Sequence, residues 1–237
     1  MSKPKITLPF FIFNPKSYLY GQALLDLTQL AEDLAQQYEM TIFVTGPYAH
    51  LYQMSQLTDK AKICAQHLDG IEPGRGMGAA LADSLKAVGV QASFLNHAEH
   101  PLSLAELTQA IDRAHALDLV TIVCADSLKE AEAIAMLHPD IILCEPTELI
   151  GTGQTSGADY IQQTNQAIHS IDPDILVMQA AGISSAQDVF ETIRLGADGT
   201  GCTSGIVKAD NPEQMLKEMV EAAYQAYQTK EDSNEVI

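Results

Sequence analysis

The chain has 237 residues and a formal net charge of −18. That surplus of carboxylates argues against nucleic acid and against anionic membrane surfaces as partners. Apolar residues make up 46% of the chain, enough for a sizeable core, yet no apolar run approaches the ~18 residues that span a bilayer. No signal peptide is expected from the first residues, and Cys64, Cys124, Cys144 and Cys202 form no C-x-x-C pair, so reduced thiols in a cytoplasmic protein are expected.

Short apolar runs alternate with longer segments of helical period. Strands are expected near Phe10–Asn14, Met40–Thr45, Ala61–Gln66, Gln91–Asn96, Leu119–Cys124, Asp140–Cys144, Ile175–Gln179 and Asp198–Cys202. The clearest helical segments are Gln22–Gln37, Leu102–Ala116, Ala158–Ser170, Ser185–Leu195 and Pro212–Tyr227. The repetition of strand and helix without a linker predicts one α/β domain, a single (β/α)8 TIM barrel over residues 1–228. Residues 229–237 form a polar C-terminal tail. The competing open sheet of Rossmann type lacks its G-x-G-x-x-G after the first strand.

Functional side chains of such a barrel belong just after the strands. The first strand ends Asn14-Pro15-Lys16, which puts a lysine at the rim where an anion would bind. The second ends Thr45-Gly46-Pro47, with no evident chemistry, and the third ends in His67, which reads as structural or surface. The fourth ends Asn96-His97-Ala98-Glu99, just before a helix whose N-terminal dipole would disfavour a protonated His97. Cys124 closes the fifth as a buried structural thiol, and Asp126 or Ser127 caps the helix after it. The sixth ends Ile141-Ile142-Leu143-Cys144-Glu145-Pro146. Glu145 reads either as a cap for the next helix or as a working carboxylate at the end of a buried strand. After strands seven and eight, Gly182, Ser184, Ser204 and Gly205 are small enough to let backbone amides approach a phosphate.

Glu145-Pro146 with Ile150-Gly151-Thr152-Gly153, Asn14-x-Lys16 and Asn96-His97-x-Glu99 together resemble the triosephosphate isomerase family, in its compact archaeal-type branch. The resemblance runs from Asn14 to about Ala223. It implies that Glu145 is the base and His97 a neutral electrophile, that Lys16 and Asn14 stabilise an oxyanion, and that Glu99 holds one of those two. It implies a phosphate held by Ile150, Gly151, Gly182, Ser184, Thr203, Ser204 and Gly205, under a lid of Thr147–Gly153. The implied substrate is a small phosphorylated sugar, dihydroxyacetone phosphate or D-glyceraldehyde 3-phosphate, as in glycolysis and gluconeogenesis. No metal or organic cofactor is implied, and the protein would be a homo-oligomer, dimer or tetramer.

The chain departs from the family pattern at four places. Pro15 stands where an aromatic is usual, and Ala98 where a serine contacts the base. Met77, beside Gly76, stands where a threonine reaches a neighbouring subunit, and Ala180 replaces a glycine. These departures leave three alternatives: the same chemistry on another sugar phosphate such as a tetrulose phosphate, a weakened homologue that only binds phosphate, and a different phosphate-binding barrel enzyme. The last has no reason to carry the Glu145 segment.

Overall fold

The computed structural model describes residues 3–146 and 157–234. Eight parallel strands close into a barrel in chain order: β1 (Phe10–Phe13), β2 (Ile42–Thr45), β3 (Lys62–Ala65), β4 (Ala92–Leu95), β5 (Val120–Ala125), β6 (Ile141–Cys144), β7 (Leu176–Gln179) and β8 (Gly199–Cys202). Pairing of β8 with β1, Gly199 opposite Phe10 through Cys202 opposite Phe13, completes the ring. The expected single (β/α)8 barrel is the observed fold.

The outer ring is α1 (Gln22–Tyr38), α2 (Leu51–Ser55), α3 (Ala82–Ala87), α4 (Leu104–Ala116), α5 (Leu128–Ala135), α6 (Ala158–Ile171) and α7 (Ala186–Arg194). The short α8 (Ser204–Val207) precedes α9 (Pro212–Asn234), which runs past the expected Tyr227 into the segment read as a tail. Helix starts follow local chemistry. Ser103 and Glu106 form a reciprocal capping box at α4, as do Ser185 and Asp188 at α7, while Ser127 caps α5.

Alternation along each strand builds two apolar layers. Phe10, Ile12, Phe43, Phe94, Ile122, Ile141, Leu143 and Met178 fill the barrel interior. Phe11, Phe13, Val44, Ile63, Leu95 and Val123 face outward against the helices. The glycines of β8 follow from this filling. A Cβ on Gly199 would lie 2.3 Å from the Phe10 ring, and one on Gly201 would lie 2.4 Å from the Ile12 carbonyl oxygen. The large aromatic on β1 therefore dictates the small residue on its neighbour. All four cysteines are buried and free, and burial pushes each thiol pKa up, which leaves them as inert packing groups.

The N-terminal face of the barrel is held by charge. Asp140, just before β6, accepts the Thr121 N–H at 2.8 Å and the Thr121 hydroxyl at 2.9 Å, and it pairs with Lys3 and His115. Burial alone would raise its pKa, but His115, Lys3 and Thr121 outweigh burial and hold it at about 2, against 3.8 for a free aspartate. A depressed folded-state pKa contributes stability above the unfolded value that is lost as the pH falls through the folded one. The shift corresponds to about 2 kcal/mol. Asp140→Asn should therefore lower the urea-unfolding free energy by about 2 kcal/mol at neutral pH, and the deficit should shrink between about pH 4 and pH 2. A deficit that stays constant over that range would assign the loss to shape and not to charge.

Candidate active site

A cavity of about 500 Å³ opens at the C-terminal ends of the strands. Its walls include the side chains of Asn14, Lys16, His97, Glu99 and Glu145, together with Gly182, Ser184, Thr203, Ser204 and Gly205. Side chains far apart in sequence meet here because the barrel brings all strand ends to one rim. Ile150 and Gly151, and the expected lid Thr147–Gly153, lie outside the described residues.

Lys16 is fixed at three points. Its N–H donates to Asn14 Oδ1 at 2.9 Å, its carbonyl accepts from Gln66 Nε2 at 2.8 Å, and its Nζ donates to Glu99 Oε1 at 2.7 Å. The backbone at Lys16 is left-handed, with φ of 49°. An Asn–Pro turn supports that conformation, because the Asn14 side chain closes the turn two residues on. Pro15 therefore fits the loop: the Lys16 amide, not an amide at position 15, meets Asn14. Of the two partners expected for Glu99, the structure selects Lys16.

Thr45 was invisible as a site residue in the sequence. Its hydroxyl donates to Asn14 Oδ1 at 2.6 Å, so that oxygen accepts from both Thr45 and Lys16. This fixes which end of the Asn14 amide is the acceptor and leaves the NH2 end for other partners. Gln66 was missed for the same reason, since its contact with Lys16 exists only once β3 lies near β1. Tyr18 and Lys208, which also line the cavity, carry no sequence signal of their own.

His97 is half-buried, and its Nδ1 accepts the Glu99 backbone N–H at 3.0 Å. The proton of a neutral ring is thus on Nε2, which makes that atom a donor without charge. Burial lowers the His97 pKa, the Lys16 charge lowers it further, and Glu99 opposes both. The helix that follows, α4, begins at Leu104 behind its Ser103 cap. Ala98 is exposed. His67 is buried, with 6% exposure, stacks on His100 at 4.1 Å between ring centroids and reaches Asp69 at 3.3 Å, a structural placement.

Glu145 follows β6 directly, with its N–H donated to the Ala125 carbonyl at 3.0 Å. Burial raises its carboxyl pKa, Lys16 lowers it, and Glu99 adds to the rise. An adjoining base with a raised pKa, an uncharged N–H donor and a fixed lysine suit proton abstraction next to a carbonyl.

The wall after β7 and β8 is made of backbone. Gly182 has φ of 69°. A Cβ on Gly205 would lie 2.8 Å from Cys202 Sγ and 3.0 Å from the Ser184 Cα and carbonyl oxygen, so the turns after β7 and β8 touch. The Ser184 N–H and hydroxyl both donate to Asp188 Oδ2 at 2.9 Å. An anion at this wall takes the Ser184 amide only in competition with that carboxylate.

The tautomer of His97 can be read directly. Imidazole 15N NMR should show a neutral ring protonated at Nε2 down to a pH below 6.5, and Glu99→Gln should move its titration lower still, because the opposing carboxylate is gone. An upward move in that variant would contradict the electrostatics described here.

The family model described as triosephosphate isomerase matches residues 9–223. A protein of Sulfurisphaera tokodaii named triosephosphate isomerase is 32% identical over 94% of this chain and 98% of its own length. Proteins of the same name from Methanobacterium bryantii and Methanocaldococcus jannaschii are each 34% identical, over 90% and 88% of this chain and 96% and 97% of their own. With the match spanning all eight strands, the chain belongs to the triosephosphate isomerase family.

Proposed function

We propose that this protein interconverts dihydroxyacetone phosphate and D-glyceraldehyde 3-phosphate. Glu145 takes a proton from the carbon beside the carbonyl, and the bonding pair left behind forms an enediolate. The His97 Nε2–H polarises the carbonyl oxygen and moves protons between the two oxygens. Glu145 then returns its proton to the neighbouring carbon, so the two triose phosphates differ only in where that hydrogen sits. A glutamate base paired with a neutral histidine is the arrangement triosephosphate isomerase uses, and membership of the family supports giving Glu145 and His97 those roles. Lys16 and the Asn14 amide face the developing oxyanion and stabilise it. Gly182, Ser184, Thr203, Ser204 and Gly205 receive the phosphate.

The observation that carries this reading is the bond from the Glu99 N–H to His97 Nδ1, which leaves an uncharged donor in the cavity that Glu145 lines. A charged imidazolium would be a weaker match to the enediolate's own proton transfers.

The same reading makes the protein a cytoplasmic homo-oligomer. Free thiols at all four cysteines support a reducing compartment, and among the described residues no helix is long and apolar enough to cross a membrane. Tyr48 and Tyr52, which follow β2, and Met77, in the connection from β3 to α3, are exposed, Met77 fully, which supports burial of these segments against a second copy.

Three measurements test these readings. Glu145→Gln should lower kcat with glyceraldehyde 3-phosphate at least ~10²-fold. In the unmodified protein kcat/KM should fall on an acid limb lying above pH 4.5, because the raised carboxyl pKa protonates the base there. Undiminished turnover in the variant would remove Glu145 from the mechanism. For the oligomer, Met77→Asp should shift the sedimenting species toward the 25.6 kDa monomer, and an unchanged mass would move the interface elsewhere.

A further inference from the structure

The isomerase chemistry leaves one cation of the cavity without a task. Lys208 lines the same cavity as Lys16. Its N–H donates to the Ser204 carbonyl at 3.1 Å, so its backbone belongs to the turn that carries Ser204 and Gly205. Its side chain is exposed, and its Nζ lies 5.7 Å from the centroid of the Tyr18 ring, another wall of the cavity. Lys16 is engaged by Glu99, whereas among the described residues Lys208 joins no ion pair with a carboxylate.

The local charges make this difference consequential. Lys16 alone does not balance Glu99 and Glu145, so without Lys208 the lining is negative toward an incoming phosphate dianion. Behind the backbone wall, Asp188 already takes both donors of Ser184. The chain as a whole is strongly acidic, and screening over ~8–10 Å leaves only nearby charges to help. Lys208 is the remaining cation of the lining, and it rises from the backbone wall. Its flexible stem crosses to the Tyr18 ring, whose π face holds an ammonium without neutralising it.

We propose that Lys208 is the receiving charge for the substrate's phosphate dianion, parked over Tyr18 until the phosphate arrives, and that it sets selectivity for phosphorylated over neutral substrates. This rests on the isomerase reading above. Lys208 touches the part of the substrate that does not react, so it governs capture and not the proton transfers.

The test is steady-state kinetics of the full chain and its Lys208→Met variant on D-glyceraldehyde 3-phosphate and on neutral D-glyceraldehyde, with inorganic phosphate as a competitive inhibitor. The expected result is a fall of about 10-fold or more in kcat/KM for the phosphorylated substrate, with kcat changed less than about threefold. The Ki of inorganic phosphate should rise in parallel, and the dependence of kcat/KM on ionic strength should flatten. The rate on D-glyceraldehyde should change less than about threefold, and Lys208→Arg should restore most of the loss. An unchanged Ki for phosphate, or an equal loss on both substrates, would overturn the proposal, the latter by giving Lys208 a purely structural role. Should the unmodified chain fail to turn over either triose phosphate, the isomerase reading falls. Calorimetric binding of inorganic phosphate to the two proteins then decides the Lys208 claim: equal affinities overturn it, and a loss in Lys208→Met upholds it as a phosphate site.

Discussion

The site depends on how Lys16 is held. An acidic chain must offer positive charge at one place and aim it, and a free lysine does not aim. Here a left-handed backbone at Lys16, bonds from its amide and carbonyl to Asn14 and Gln66, and a 2.7 Å bond from its ammonium to Glu99 fix both ends of the residue. A non-glycine residue in that backbone region costs on the order of 1 kcal/mol, which the turn must offset. The Asn14 side chain does so, and it is itself held by the buried Thr45 hydroxyl. The same Lys16 charge then lowers the pKa of Glu145 against its burial and pushes His97 further toward the neutral ring. One placement thus tunes two other groups.

Glu99 links the parts more tightly than its exposed side chain suggests. Its carboxylate holds the Lys16 ammonium, while its backbone N–H fixes the His97 tautomer. The Lys16 bond holds its own pKa below the usual carboxylate range, so it stays ionised wherever Glu145 does. Position 98 lies between these two anchored residues and faces solvent, so replacement of the usual serine by Ala98 leaves both anchors in place.

What was legible in the sequence follows from where the information lies. The strands were readable because a barrel buries both faces of each strand, which writes continuous apolar runs. β8 broke the pattern, since its glycines answer to Phe10 and Ile12 on β1 and not to their own neighbours in the chain. Asn14, Lys16, His97, Glu99 and Glu145 were readable as residues that end strands, and the structure brings all five to one cavity. Thr45 and Gln66 were not, because each acts through a partner in the turn after β1 that only closure supplies. The direction of the His97 shift was readable from the helix start that follows it, whereas burial and the Lys16 charge, which also lower its pKa, belong to the assembled barrel.

The two walls of the cavity are built from different materials, and this governs how each tolerates change. The wall at β1 and β4 is made of side chains whose bonds can be cut one at a time, so substitutions there act on chemistry while the barrel stands. The wall at β7 and β8 is backbone at close approach, where Gly205 leaves no room for a Cβ between Cys202 and Ser184. A side chain added there must push two barrel strands' turns apart, and the cost reaches the fold before it reaches the substrate. Selectivity at that wall is therefore more readily changed by a long side chain reaching over it from the rim than by altering the wall itself. A lysine over an aromatic ring, in no ion pair among the described residues, answers that description, and it leaves the packed turns beneath undisturbed.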